Sequence, residues 1–140
     1  MLDFSSCYTS PRAAVLDKDL AKLGDALVNF IYSVAKSRVK GKPDAGKVPN
    51  SVLSDALHEA GMRGLAPSRV DRHMLGDVTE AIVAYAWIEG ELDLEESIDI
   101  VSVSISGEDF EKRRFLLEST TNGFVDLLDL ISKRINFGDE

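Results

Sequence analysis

Apolar residues recur at helical spacing in the first long segment of the chain. At about 100° per residue, one stripe contains Leu20, Leu23, Leu27, Ile31 and Val34. This pattern predicts an amphipathic helix, with Asp25 at the edge of a wide apolar face. No Lys or Arg is expected on that edge within a turn of Asp25, because Lys22 falls nearer the centre of the polar side.

A second helical segment, residues 75–90, leaves no face for water. Every residue from Ala81 to Ile88 is apolar or aromatic, so a buried helix is predicted. Asp77 and Glu80 nevertheless lie inside this segment, three residues apart and therefore neighbours on one face. Burying unpaired carboxylates is costly, so we expect a positive charge to meet them and one acid to have a raised pKa.

The rest of the pattern predicts four more helices and two connectors. The helices are residues 52–60, capped by Asn50 or Ser51, then 94–105, 110–119 and 124–135. Gly and Pro residues indicate a loop over 37–50, and a connector over 64–68 leads to the buried helix with Ser68 or Asp71 as its cap. Residues 101–105 alternate like a strand, but no partner strand is evident, and Gly107 is expected to end that helix.

These elements predict an all-α fold in a single domain over residues 1–140. The longest apolar run, 81–88, is far shorter than the ~20 residues that a membrane span needs. Residues 1–15 contain no signal-like run, and the lone Cys7 cannot form an intramolecular disulfide. We therefore expect a cytoplasmic protein.

Three carboxylates, Asp25, Asp77 and Glu80, have no obvious counter-charge in the sequence. Oxygen-only ligands favour Mg²⁺ or Mn²⁺ over zinc, and such a site suits hydrolysis of a phosphodiester. The sequence therefore predicts one pocket in which a single cation could touch at least two of the three side chains. The structural alternative is that Asp77 and Glu80 pair with neighbouring cations, namely Arg69, Arg72 or His73.

The residues around these acids resemble two motifs of ribonuclease III catalytic domains. The family's signature helix is usually written E-R-L-E-F-L-G-D, and the chain has Leu20, Leu23, Gly24 and Asp25 in matching positions. The second motif, L-A-D-x-x-E-A, is similar to residues 75–81, and Trp87, Ile88, Glu89 and Gly90 resemble the residues that follow it. The resemblance covers about residues 16–105 and implies the helical bundle of the ribonuclease III endonuclease domain.

The signature helix departs from the family pattern at two positions. Lys18 and Ala21 stand where longer family members have glutamates, and the second of those glutamates is a metal ligand in the family. The chain is more similar to compact mini-ribonuclease III proteins without a double-stranded-RNA-binding domain, and to small archaeal ribonuclease-III-like proteins. His73 stands where the family often has lysine, one turn before Asp77.

The resemblance implies a magnesium-dependent endoribonuclease that cuts double-stranded or structured RNA as a homodimer. Under this hypothesis Asp25 and Glu80 are primary metal ligands, and Asp77 is a water-mediated or outer ligand. Asn29, one turn beyond Asp25, is a candidate contact to RNA or water. The dimer interface is expected on the first long helix, whose apolar face is widened by Leu23, Phe30 and Val34. A possible accessory protein would supply duplex binding.

Charge is distributed unevenly along this acidic chain. The net charge is −8, yet residues 36–72 contain eight basic and four acidic residues, a local balance of +4. A basic ridge beside an acidic pocket would suit a polyanion, whereas the alternative is a solvated loop. The candidate RNA-binding residues are Lys36, Arg38, Lys40, Lys42, Lys47, Arg69 and Arg72.

Two other functions were weighed against the nuclease hypothesis. Lys18, Ala21 and the acidic composition are compatible with a non-catalytic RNA-binding or assembly protein that keeps the fold. A helical nucleotide pyrophosphohydrolase also uses acids on helices with magnesium, but it needs a fuller E-x-x-E array than this chain contains. His58, on the helix over 52–60, is interpreted as a surface or structural residue.

Overall fold

A computed structural model describes residues 7–138, and within that range all regular structure is helical. The α-helices are α1 (Pro11–Ala14), α2 (Lys18–Lys40), α3 (Asn50–Glu59), α4 (Arg72–Ile88), α5 (Leu94–Ser104) and α6 (Arg113–Arg134). Short 3-10 turns, Arg63–Leu65 and Gly107–Glu111, lie between α3 and α4 and between α5 and α6. The all-α prediction is confirmed. No helix within the described residues is long and apolar enough to cross a membrane.

Helix α4 is the central element of the bundle, as its lack of a polar face predicts. Between Gly76 and Ile88 every residue is buried except Asp77 and Trp87, which are half-buried. The helix packs against α1, α2, α3 and α6, so most of its surface beyond the first turn is covered by protein. Asp71 caps its N-terminus by accepting a hydrogen bond from the Met74 amide at 2.9 Å, which confirms one of the two predicted caps.

Helices α2 and α4 approach most closely at Gly24. A Cβ placed on Gly24 would lie 2.9 Å from the Glu80 Cα and closer still to the Glu80 carbonyl group. Only glycine therefore fits between the two backbones at this point. Because Asp25 follows Gly24 directly, the same contact brings Asp25 beside Glu80.

The boundaries around the loop after α2 differ from those predicted. Helix α2 continues through Lys40 and ends at Gly41, which adopts a left-handed conformation with φ of 75°. The next helix begins at Asn50, and its N-cap is Pro49, whose carbonyl accepts from the Val52 and Leu53 amides. No side chain caps this helix, so the predicted cap at Asn50 or Ser51 is wrong.

The C-terminal half also contains a correction, because the predicted helices over 110–119 and 124–135 are one continuous helix, α6. Thr120 and Thr121 do not interrupt it, since their hydroxyls donate to the Leu116 and Leu117 carbonyls at 2.6 and 2.8 Å. Gly123 serves packing: a Cβ there would lie 3.2 Å from the Val101 Cα of α5. Gly107 starts a 3-10 turn instead of ending α5, which stops at Ser104.

We predict that Gly24→Ala destabilises the protein strongly, because the added methyl group meets backbone that cannot move aside as a flexible side chain would. The expected loss is at least about 1–3 kcal/mol, and thermal unfolding followed by circular dichroism would measure it. Gly107→Ala is the matched control, since nothing lies within 4 Å of a Cβ at that position. Equal melting temperatures for Gly24→Ala and the wild type would contradict the close approach of α2 and α4.

Candidate active site

The three acids singled out in the sequence line one pocket. It has a volume of about 340 Å³ and lies where α2, the start of α3, the first turns of α4 and the loop before α3 meet. Its lining residues are Lys18, Ala21, Lys22, Asp25, Lys47, Asn50, His73, Asp77 and Glu80. The three carboxylates therefore share one pocket, as predicted, and the contact of a single cation with two of them stays a prediction.

The three carboxylates differ in their access to solvent. Glu80 is buried, with 6% of its surface exposed, because it lies one turn inside the covered helix α4. The side chains of Asp77 and Asp25 are 26% and 43% exposed. The pocket therefore has one acid at its base and two toward its mouth.

The pKa of Glu80 is raised from its ordinary value of 4.5 to about 8, and burial is the largest cause. A hydrogen bond with Asp25 and repulsion from the charges of Asp25 and Asp77 are the other causes of this rise, while Lys47 opposes it. At neutral pH Glu80 consequently holds a proton, because its pKa lies above 7. One acid of the trio thus has the raised pKa that the sequence predicts.

Positive charge reaches the pocket from lysines that the sequence analysis did not place there. Lys47 Nζ lies 3.9 Å from Asp25 Oδ1, a long ion pair with the lysine side chain 72% exposed. Lys18 and Lys22 line the same pocket as Asp25, so the expectation that no Lys lies on that edge of α2 within a turn of Asp25 is wrong. The spacing was an available signal, because residues three, four and seven positions apart on a helix share one face.

Asn29 is half-buried and makes two hydrogen bonds. Its Nδ2 donates to Asp25 Oδ1 at 3.0 Å, and its Oδ1 accepts from the Val48 amide at 2.8 Å. These two bonds fix the Asp25 carboxylate relative to the loop before α3. A contact of Asn29 with RNA or water stays a prediction.

The cations proposed as structural partners of the acids are engaged elsewhere or lie at a distance. Arg72 pairs with Asp55 at 3.2 Å, and Arg69 is exposed. His73 Nε2 is 3.9 Å from Asp77 Oδ2, while His73 Nδ1 lies 2.9 Å from Asn50 Nδ2. Of the two acids, only Asp77 therefore has one of these cations nearby, and that contact with His73 is long. His58 is exposed on α3, in agreement with its interpretation as a surface residue.

Most of the candidate RNA-binding residues already have acidic partners in this chain. Arg38 binds Glu95 and Asp99 at 2.7 and 2.6 Å, and both Lys36 and Lys40 bind Asp44, at 3.3 and 2.9 Å. Lys42 and Arg69 are exposed, and among the seven candidates Lys47 alone lines the carboxylate pocket. The local excess of positive charge is therefore partly neutralised on the folded surface.

The donor set of the pocket fits a hard divalent cation. Its acids offer oxygen ligands only, and their mutual repulsion, expressed in the raised pKa of Glu80, is what a bound cation would relieve. As the side chains stand, no group of three or more His, Cys, Asp or Glu within residues 7–138 is arranged to hold a metal ion. Ala21 lines the pocket where the family has a further acid, so this chain offers fewer ligands than the family pattern.

We predict that Glu80 makes the metal-free protein less stable as pH rises. Between pH 4.5 and about 8 the folded state holds a proton that the unfolded state has released, so the free energy of unfolding falls across this window. Each unit of pKa shift contributes about 1.4 kcal/mol. Chemical denaturation at several pH values should show a shallower decline for Glu80→Gln, whereas Glu59→Gln, at an exposed acid of α3, should follow the wild type.

Comparison with known families agrees with the arrangement of helices and acids. The family model described as Ribonuclease III matches residues 18–137, which include α2 through α6 and all three carboxylates. No curated protein matches the chain. Since the matched region contains both the scaffold and the pocket, the chain belongs to the ribonuclease III family, and its domain is an RNA endonuclease domain of that family.

Proposed function

We propose that the protein is a metal-dependent endoribonuclease that hydrolyses phosphodiester bonds in double-stranded or structured RNA. The observation that supports this most directly is the convergence of Asp25, Asp77 and Glu80 in one pocket of a ribonuclease III domain. A buried glutamate crowded by two aspartates is unfavourable for stability, and a site that binds a cation accounts for its presence.

In the proposed reaction Asp25 and Glu80 are the primary ligands of Mg²⁺ or Mn²⁺, with Asp77 as an outer or water-mediated ligand. The bound ion would supply activated water and neutralise charge on the phosphate oxygens. Glu80 must give up its proton to act as a ligand, and Asp25, its hydrogen-bond partner, is held in place by Asn29. Metal affinity should therefore increase as pH rises toward 8.

The lysines at the pocket supply attraction for a polyanion within an acidic chain. Lys18, Lys22 and Lys47 line the pocket together with the acids, so a phosphate that enters the site would meet positive charge there. Duplex RNA is recognised mostly through its shape and backbone, which suits a site built from charges without base-reading elements.

We also propose a homodimer that uses a partly exposed apolar surface on α2, the α2 surface, defined by Leu23, Phe30 and Val34. Phe30 is 52% exposed, and it lies beside Val34, Pro43 and Ala45 around a mainly apolar depression. Pairing two copies here would remove this surface from water.

An accessory protein that supplies duplex binding is part of the same proposal. A cytoplasmic location is also proposed, and the free Cys7 supports it.

The decisive experiment is a cleavage assay on plain duplex RNA with and without Mg²⁺. The wild type should cleave only with the metal, and Asp25→Asn should lose at least about a hundredfold in rate, because a primary ligand is removed while the fold is kept. Saturating Mg²⁺, at about 100 times its Kd, should also stabilise the wild type by about 2.7 kcal/mol and leave Glu80→Gln unaffected. Duplex binding without cleavage at any metal concentration would favour the non-catalytic alternative.

The dimer is tested by light scattering of the wild type and of Phe30→Glu at micromolar concentration. The wild type should have twice the mass of one chain, since a stable interface is expected to bury more than about 1,000 Å² in total. Phe30→Glu should be monomeric, because it would place a charge in the apolar contact. Val103→Glu is the control, at an apolar residue of α5 that is 86% exposed and lies outside the α2 surface. A monomeric wild type would refute the interface.

A further inference from the structure

The loop between α2 and α3 runs back along α2 and is attached to it at regular intervals. Gly41, with its positive φ, reverses the chain at the end of α2. Three side chains of α2, four residues apart, then bind the backbone of loop residues that are two apart. These pairs are Ser37 with Asp44, Ser33 with Gly46, and Asn29 with Val48. We call this set of contacts the polar ladder.

Each rung of the polar ladder is a hydrogen bond from a loop amide to a side-chain oxygen. The Asp44 amide donates to Ser37 Oγ at 2.9 Å, the Gly46 amide to Ser33 Oγ at 3.0 Å, and the Val48 amide to Asn29 Oδ1 at 2.8 Å. The Ser33 hydroxyl also donates to the Gly46 carbonyl at 3.1 Å. The loop backbone is therefore satisfied by the helix and not only by solvent.

The regular spacing follows from chain geometry. Four residues of an α-helix rise about 6 Å, and two residues of an extended chain cover about 6.6 Å, so each turn of helix matches one dipeptide of the loop. A slip of one loop residue would place the wrong backbone group at every rung. The polar ladder therefore fixes the register of the whole loop against α2.

The ladder ends at the carboxylate pocket. Asp25 lies one turn before Asn29 on the same stripe of α2, and its carboxylate accepts a hydrogen bond from the Asn29 side-chain Nδ2 at 3.0 Å. Lys47 lies between the two attached loop residues Gly46 and Val48, and its ammonium reaches to 3.9 Å from the Asp25 carboxylate. The register of the ladder thus determines which loop residue faces the acids.

We propose that the polar ladder of Asn29, Ser33 and Ser37 positions Lys47 at the mouth of the pocket, where its ammonium binds a phosphate oxygen of the RNA substrate. This inference rests on the proposed function. Lys47 suits the role because its single ion pair is long and its side chain is 72% exposed, so donors remain for a phosphate. Lys36, Lys40 and Arg38 are instead held by acids at 3.3 Å or less.

The position of Lys47 is tested first without RNA, by amide hydrogen exchange on the folded protein. Ser33→Ala should accelerate exchange of the Gly46 amide several-fold, and Asn29→Ala should do the same for the Val48 amide. Amides in α4 should keep the protection of the wild type. Unchanged exchange at both loop amides would overturn the ladder itself, whatever the protein does with RNA.

The role of Lys47 is tested by kinetics and by binding. Lys47→Ala should lower kcat at least about tenfold, because one charge-assisted contact to the reacting phosphate is lost. Lys47→Arg should keep most of the wild-type kcat. In metal-free binding to a duplex RNA, Lys47→Ala should reduce the salt dependence by about one unit of slope. Lys133→Ala, at an exposed lysine of α6 outside the pocket, should change neither quantity. Wild-type kcat and slope in Lys47→Ala would overturn the assignment.

A double-mutant cycle separates positioning from a general loss of stability. Ser33→Ala should lower kcat in the wild type but not further in Lys47→Ala, whereas its effect on the melting temperature should be the same in both backgrounds. Additive losses in kcat would refute the coupling through Lys47. If the wild type cuts no duplex RNA, the proposed function fails, and hydrogen exchange and metal-free binding still decide whether Lys47 is held and used as a phosphate contact.

Discussion

The close contact between Gly24 of α2 and the backbone of Glu80 in α4 is the constraint on which both fold and site depend. No side chain fits between these two backbones, because a Cβ on Gly24 would overlap the backbone of Glu80. Each helix carries an acid at this contact, Asp25 on α2 and Glu80 on α4. Asp25 follows Gly24, and the Glu80 side chain leaves the same contact toward the pocket. Packing energy that stabilises the bundle therefore also forces two carboxylates together. The site is a direct product of the helix–helix interface.

Helix α4 leaves Glu80 almost no contact with water, because most of the turn around it is buried and only the pocket side is open. Without a cation, the chain has two means of limiting the repulsion. Glu80 keeps a proton near neutral pH, and Lys47 offers a distant positive charge to Asp25. Each reduces the repulsion only in part, because protonation removes the charge of Glu80 alone and the Lys47 ammonium lies 3.9 Å from Asp25. A hard divalent cation at this point would replace both at once, which is why the metal hypothesis accounts for the buried acid better than pairing does.

The sequence was sufficient where a local pattern decides the structure. The uninterrupted apolar run of α4, its Asp71 cap and the three-residue spacing of Asp77 and Glu80 each act within one helix. Prediction from the sequence failed where tertiary contacts override local preference. The stretch from Thr120 to Gly123 resembles a helix break, but the hydroxyls of Thr120 and Thr121 donate to carbonyls within α6. Gly123 allows α6 to pack closely on Val101 of α5. The return of the loop along α2 was also missed. Its signal was the spacing of Asn29, Ser33 and Ser37, whose meaning depends on a loop partner that periodicity cannot identify.

Net charge is a poor guide to the partner of this protein, because charges act locally in physiological salt. Screening reduces interactions between exposed charges beyond about 8 Å, so the net charge of −8 does not determine the electrostatic field at the pocket. Lys47 Nζ lies 3.9 Å from Asp25 Oδ1, well within that distance. The basic segment 36–72 contributes less than its composition indicates, since several of its cations pair with acids of α5 or with Asp44. Under the proposed function, RNA would be attracted by the few lysines that α2 and its polar ladder place at the pocket, and not by the overall balance of charge.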